Sequence, residues 1–93
     1  MKWVEVIHMR ITKRDIEGIV PIVQKLAGEA IKESSCQEIK MYRRALVNTD
    51  LSILLFHDTM EMEKSGSPLG LRINSALKEF GLVNHNTWFE LGV

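Results

Sequence analysis

The sequence predicts one α+β domain with the element order βαββαβ, built on a four-stranded antiparallel sheet with two helices on one face. Three observations carry that prediction. The chain has 93 residues, enough for one hydrophobic core and not for two. Two segments space their apolar residues three and four apart, as helices do, and four segments have strand character. Finally, the first and third strands are apolar on both faces, which marks them as the interior of a sheet.

The first strand runs from Trp3 to Ile11, with Val4, Val6 and His8 on one face and Trp3, Glu5, Ile7, Met9 and Ile11 on the other. Thr12 with Asp15 three residues on approximates a capping box, and opens a helix. Ile16, Ile19, Val20, Val23, Leu26, Ala27, Ala30 and Ile31 then form one apolar stripe. Pro21 falls inside that pattern, where it removes a hydrogen bond. Either the helix begins near Ile19, or a first turn over 13–18 is kinked against the rest; the kink is the favoured expectation. The second strand spans Cys36 to Val47 and the third Leu51 to His57, joined by the turn residues Asn48, Thr49 and Asp50. Asp58 to Gly66 reads as a polar loop, long enough to serve as a lid. Ser67 caps a second helix with Pro68 in its first turn, Leu69, Ile73, Ala76, Leu77 and Phe80 line its inner face, and Gly81 reads as its left-handed C-cap. Leu82 to Leu91 is the last strand.

This order is the split βαβ of ferredoxin-like folds, with expected strand order 4-1-3-2. The helices cover one face, so the apolar second face of strands one and three needs another cover. The expectation is a homodimer with sheets paired face to face, each subunit burying roughly 600–800 Å², the size of a stable interface. The whole pattern resembles the dimeric α+β barrel superfamily, which includes antibiotic-biosynthesis-monooxygenase-like domains. That resemblance implies face-to-face sheets, a pocket between sheet and helices, and activities from cofactor-independent oxygenation of polycyclic substrates to haem degradation. The haem-degrading members place an Asn, a Trp and a His differently from Asn86, Trp88 and His85, which crowd onto one strand here. The resemblance therefore carries over the fold and no catalytic residue.

Acidic and basic residues balance at 12 each, so no long-range field draws nucleic acid or an anionic membrane, and neither is expected as a partner. No apolar run reaches the roughly 18 residues of a membrane helix, and a charge interrupts the N-terminus before a signal-peptide core could form. A single cysteine, Cys36, fits a reducing compartment, and the expected location is the cytoplasm.

Among chemistry-bearing residues, the three histidines come first. Topology brings His8 and His85 together and leaves His57 roughly 15 Å from His8, so at most two converge and no metal site is expected. His8 and His85 read as hydrogen-bonded partners that can serve as acid and base. Arg10, Tyr42, Arg43 and Arg44 offer donors to an anion, or else solvate a sheet edge. Trp3, Trp88 and Phe89 read as core or interface anchors, and Cys36 as a small apolar residue. Lys64 to Ser67 lacks the phosphate-loop signature and reads as ordinary capping. The candidate ligand-binding residues are thus His8, Arg10, Tyr42, His85 and Trp88, with no cofactor. Three functions follow: a homodimer that binds a small, partly apolar molecule between sheet and helices, a monooxygenase-like or isomerase enzyme, and a regulatory or scaffolding module.

Overall fold

The computed structural model describes residues 1–13, 15–33 and 35–92, with the side chains of Ala30 and Glu33 left aside. The expected places of Arg14 in the first turn and of Ala30 in the apolar stripe lie outside the described residues. The elements are β1 (Lys2–Ile11), α1 (Ile16–Ala30) followed by a short 3-10 turn, β2 (Cys36–Arg43), β3 (Asp50–Asp58), α2 (Pro68–Leu77) and β4 (Gly81–Phe89). They form one antiparallel sheet in the order β2-β3-β1-β4, the ferredoxin-like arrangement that the sequence predicts.

Alternation along β1 and β3 decides what the helices bury. Trp3, Glu5, Ile7, Met9 and Ile11 of β1 and Leu51, Ile53, Leu55 and His57 of β3 are all buried. Ile16, Ile19 and Val23 of α1 and Leu69, Ile73 and Leu77 of α2 close over them. Each such side chain contributes about 1.5–3 kcal/mol through its removal from water. The opposite face carries Val4, Val6, Leu54 and Phe56, which are half-buried, and at its rim Tyr42, Leu82 and Trp88, which are exposed.

The details depart from expectation at the helix ends. Asp15, not Thr12, caps α1, its carboxylate accepting from the Gly18 N–H at 2.9 Å. Thr12 is drawn away because its backbone N–H bonds to the Phe80 carbonyl. The helix starts at Ile16 and runs through Pro21. Pro21 and Glu17 are both exposed, so the carbonyl that Pro21 leaves without its partner can turn to water. Gly81 is not a C-cap: Lys78 ends α2 in right-handed geometry, and Gly81 opens β4 opposite Ile11. A Cβ there would collide with the Arg10 carbonyl, so close backbone approach is what requires glycine. β2 also stops at Arg43 rather than Val47, because the chain turns over residues 44–49 with Leu46 at a φ of 67°.

Candidate functional site

Glu5 stands in the middle of β1's buried row, flanked by Ile7 on one side and Trp3 on the other. Register does the rest. His57 of β3 lies opposite Trp3, and His85 of β4 lies opposite Ile7, so the two imidazoles reach Glu5 diagonally from its two neighbouring strands. The Nε2 of His57 is 2.7 Å from Glu5 Oε1, and the Nε2 of His85 is 2.7 Å from Glu5 Oε2. The side chains of Glu5 and His57 are wholly buried and that of His85 is 7% exposed.

Each outer partner fixes the arrangement further. Ser35 Oγ is 3.3 Å from Nδ1 of His57, and Asn74 Nδ2 is 3.2 Å from Nδ1 of His85. Trp3 stacks on His57 with ring centroids 4.0 Å apart. Ser67 caps α2, its hydroxyl accepting from the Gly70 N–H at 3.0 Å, and it sits close enough to Glu5 to help lower the pKa of that carboxyl. Burial alone pushes the Glu5 carboxyl up, but hydrogen bonds from His57, Ser67 and His85 outweigh it and hold the group below its ordinary range. An ionised Glu5 accepts Nε2–H from both imidazoles, whose Nδ1 atoms face Ser35 and Asn74 on the other side. The backbone makes room for this cluster. A Cβ at Gly70 would fall on the Glu5 carboxylate, and one at Gly66, whose φ is 107°, would strike the His85 ring.

The arrangement is a buried carboxylate bridging two imidazoles, able to accept one proton without creating a second buried charge. Among the described residues, no group of three or more His, Cys, Asp or Glu side chains is placed to hold a metal ion.

Of the five candidate ligand-binding residues, only His85 belongs to this cluster. The expected His8–His85 pair does not form: His8 lies opposite Asn84, so alternation turns His8 and His85 to opposite faces of the sheet. His8 instead meets Ser52 Oγ at 3.1 Å on the open face. Arg10 and Arg44 clasp the buried carboxylate of Asp50, each at 3.2 Å. Tyr42 and Trp88 stand exposed on the same open face, on the two edge strands. The five candidates thus divide one to four between the two faces and make no common site.

Glu5 and Asn74 escaped the sequence reading, and His57 was read there only as too far from His8 to join it, although Glu5 and His57 both carried a signal. Glu5 shares the parity of Ile7, Met9 and Ile11, and His57 that of Leu51, Ile53 and Leu55, so each is a polar residue in a row bound for the core.

Two clefts lie on this part of the molecule, and only the first is lined by a residue of the cluster. One, of about 720 Å³, opens at the sheet end among Lys2, Val4, Glu38, Phe56 and Phe89 and reaches the backbone side of Trp3 and His57. The His57 ring itself is sealed from it, since that side chain has no exposure. The other, of about 430 Å³, lies beneath the 59–64 loop and is lined by Met1, Met60, Met62 and Phe89 with Glu61 and Lys64. Phe89, Thr87 and His85 share one face of β4 by alternation, and Thr87 Oγ1 donates to the Lys64 carbonyl at 2.9 Å, tying the loop down between cleft and imidazole.

No family model matches the sequence, and none of the curated proteins does. Solved structures do match in shape. A variant of SnoaB, a cofactor-independent oxygenase from Streptomyces nogalater, superposes with a TM-score of 0.77 at 8% identity, over 99% of this chain and 95% of that one. A Bacteroides thetaiotaomicron protein of unknown function, described as a possible oxidoreductase, gives 0.72 at 10% identity over 96% and 97%. Rv0793 from Mycobacterium tuberculosis gives 0.71 at 10% identity over 100% and 98%. At such identities the likeness is one of fold, and the chain carries the same small ferredoxin-like α+β fold as a cofactor-independent oxygenase.

Proposed function

We propose that this protein is a homodimeric module that binds a small, partly apolar molecule between the sheet and its helix-side cover, with Glu5, His57 and His85 as the polar pole. The observation that carries this reading is the carboxylate bridging two imidazoles inside an otherwise apolar interior. A core has no packing need for three ionisable groups, and apolar side chains of the same volume usually serve stability as well or better. The methionine-lined cleft supplies the apolar part, since thioether side chains adapt to varied shapes. The open sheet face supplies the dimer surface: Val4, Val6, Leu54 and Phe56 make an apolar centre that the two helices cannot reach.

Two measurements test this. Light scattering behind size exclusion should give twice 10.7 kDa, and Leu54→Lys should halve that mass. A thermal-shift panel of aromatic, quinone, haem and amino-acid ligands should show at least one stabilising class, and a flat response across the panel would refute the binding reading.

A second reading makes the module an enzyme of the cofactor-independent oxygenase or isomerase type. It is favoured by the acid–base cluster and by the fold shared with SnoaB. In this reading His85, the imidazole with residual exposure, takes the proton, Glu5 holds its ring, and Trp3 and His57 fix Glu5 from the other side. Turnover that survives both His57→Ala and His85→Ala would refute those roles.

A further inference from the structure

One end of the open sheet face is built differently from its apolar centre. Arg10 of β1 lies opposite Asp50 of β3 and Leu82 of β4, and His8 lies opposite Ser52 and Asn84. All six side chains share the open face by alternation. Asp50 is 1% exposed, and both of its oxygens are taken. Arg10 Nε donates to Oδ1 at 3.2 Å and Thr49 Oγ1 at 3.1 Å, while Arg44 Nη1 donates to Oδ2 at 3.2 Å. The clasp leaves donors over: Arg10 spends its Nε–H on Asp50, and among the described residues neither of its terminal nitrogens has an acceptor. It also leaves charge over. Two guanidiniums face one carboxylate, and Asp50 is ionised at neutral pH because the Arg10 hydrogen bond, first among its partners, holds its pKa down to about 2. In the next row Lys40 is paired with Glu38 at 3.7 Å and adds no net charge. Beside Arg10 the surface is hollowed into a cleft of about 450 Å³, lined by His8, Arg10, Leu82, Val83 and Asn84.

We propose that this cleft is a carboxylate-binding site, in which the terminal nitrogens of Arg10 take the anion in a two-pronged hydrogen bond and the Asn84 amide adds a further donor. A carboxylate matches on two counts. Its two oxygens fit the planar fork of a guanidinium, and its single charge cancels the one left over, which a phosphate dianion would overshoot. Asp50 is the positioning residue: a guanidinium already held by a buried carboxylate loses less freedom when an anion binds, so its remaining edge is preorganised. The exposed Leu82 gives the cleft an apolar flank, which suits a carboxylate borne on an apolar group. The site lies on the face of the sheet opposite to Glu5 and stands independently of the ligand reading above. It adjoins the apolar centre assigned to the dimer without including Val4, Val6, Leu54 or Phe56.

The test titrates benzoate, its neutral analogue benzamide and inorganic phosphate into the full chain at low ionic strength, where exposed charges are least screened. Nitrogen-15 NMR follows the Arg10 guanidinium and the Asn84 amide. Benzoate should bind about tenfold tighter than benzamide, and tighter than phosphate, and should move both sets of resonances. Arg10→Gln should weaken benzoate about tenfold, and Arg10→Lys, which keeps the charge and loses the fork, about threefold. Asn84→Ala, at an exposed position, should weaken it about threefold. Arg43 is exposed too, but stands opposite Leu51 and so on the helix side of the sheet; Arg43→Gln removes the same charge and should leave the affinity unchanged. An equal loss in Arg43→Gln would mean that benzoate follows net charge alone, and the site falls. Equal binding of benzoate and benzamide, or shifts that spare Arg10, would overturn it as well. Binding by the Leu54→Lys monomer alone would mean that a second copy of the chain already covers the cleft, which refutes a ligand there. The wild-type comparison needs no variant, so a poorly folded Arg10→Gln does not rescue the idea, and every one of these failures leaves the Glu5 reading untouched.

Discussion

Replacing Glu5 by Gln changes one oxygen to an amide and leaves the shape intact, so its effect isolates what the carboxylate does. Glu5 accepts from His57 and His85, with Ser67 close by and helping to lower its pKa. Glutamine keeps one acceptor oxygen and turns two amide hydrogens towards an imidazole N–H or Ser67. One histidine must then move its proton to Nδ1, and the Ser35 hydroxyl or the Asn74 amide must turn to accept it. The disturbance is passed outward, at the cost of the charge-assisted bonds to Glu5. Charge-assisted hydrogen bonds contribute about 1.5–3 kcal/mol each, and breaking a buried charged network by removing one partner costs about 3–5 kcal/mol. A domain of this size has about 5–15 kcal/mol in all, and each lost kcal/mol lowers its Tm by roughly 4–8 °C. Glu5→Gln should therefore lose at least about 3 kcal/mol in urea denaturation followed by circular dichroism, with a Tm lower by at least about 12 °C. A loss below about 1 kcal/mol would show that the carboxylate does not organise the two imidazoles, and the proposed polar pole would go with it.

Further outcomes follow from the same geometry. Gly70→Ala should cost about 1–3 kcal/mol, because the new methyl lands on the Glu5 carboxylate rather than in free space; a neutral result in the same urea experiment would show that the cluster is loosely held. Asp50 has its pKa held down to about 2, first by the Arg10 hydrogen bond and then by Arg44 and Thr49. Its ordinary value is about 3.9, so its stabilising effect is complete above about pH 4 and is lost as pH falls towards 2. Asp50→Asn should flatten that part of the stability-against-pH curve, and an unchanged slope between pH 4 and 2 would contradict the clasp. Thr87→Val removes the bond to the Lys64 carbonyl, so amide exchange across 60–66 should quicken while β1 and β3 stay protected; equal protection in both proteins would mean that the loop is held by something else.

How much of this was legible in the sequence differs sharply between fold and site. Strand order, helix faces and the buried row of β1 follow from parity and spacing, since a one-residue error would turn Ile7, Met9 and Ile11 to water. Helix ends were less legible because they are decided by distant partners. Thr12 is a sound cap by composition, yet Phe80, far along the chain, takes its N–H, and Gly81 is a glycine because Arg10 lies against it. The site was harder for a related reason. His8 and His85 look alike in sequence, and only the register of β1 on β4, which no single chain displays, sets them on opposite faces. Glu5 and His57 were readable as polar residues in apolar rows, but that pattern names a buried group and not its partner.

The cluster raises the question of how a small core tolerates a carboxylate that, among the described residues, has no lysine or arginine against it. Part of the answer lies in α2. Ser67 caps that helix close to Glu5, while Gly70 in the same first turn lets the backbone come close to the carboxylate. The partial positive charge at a helix N-terminus thus faces the buried negative charge, an arrangement that contributes about 0.3–1 kcal/mol, and up to about 2 where partly buried. The two imidazoles spread the rest of the charge over short hydrogen bonds. This solves the burial problem without neutralising Glu5 outright, and that distinction matters. An arginine would have stabilised the carboxylate more firmly and left it with nothing to exchange. Two imidazoles leave the carboxylate bridged by groups that can exchange protons, at a depth where the apolar rows on either side already hold the sheet together. Such a placement adds little to the packing of the domain, and that is what favours the cluster over the larger cleft at the sheet end as the polar pole of the proposed site.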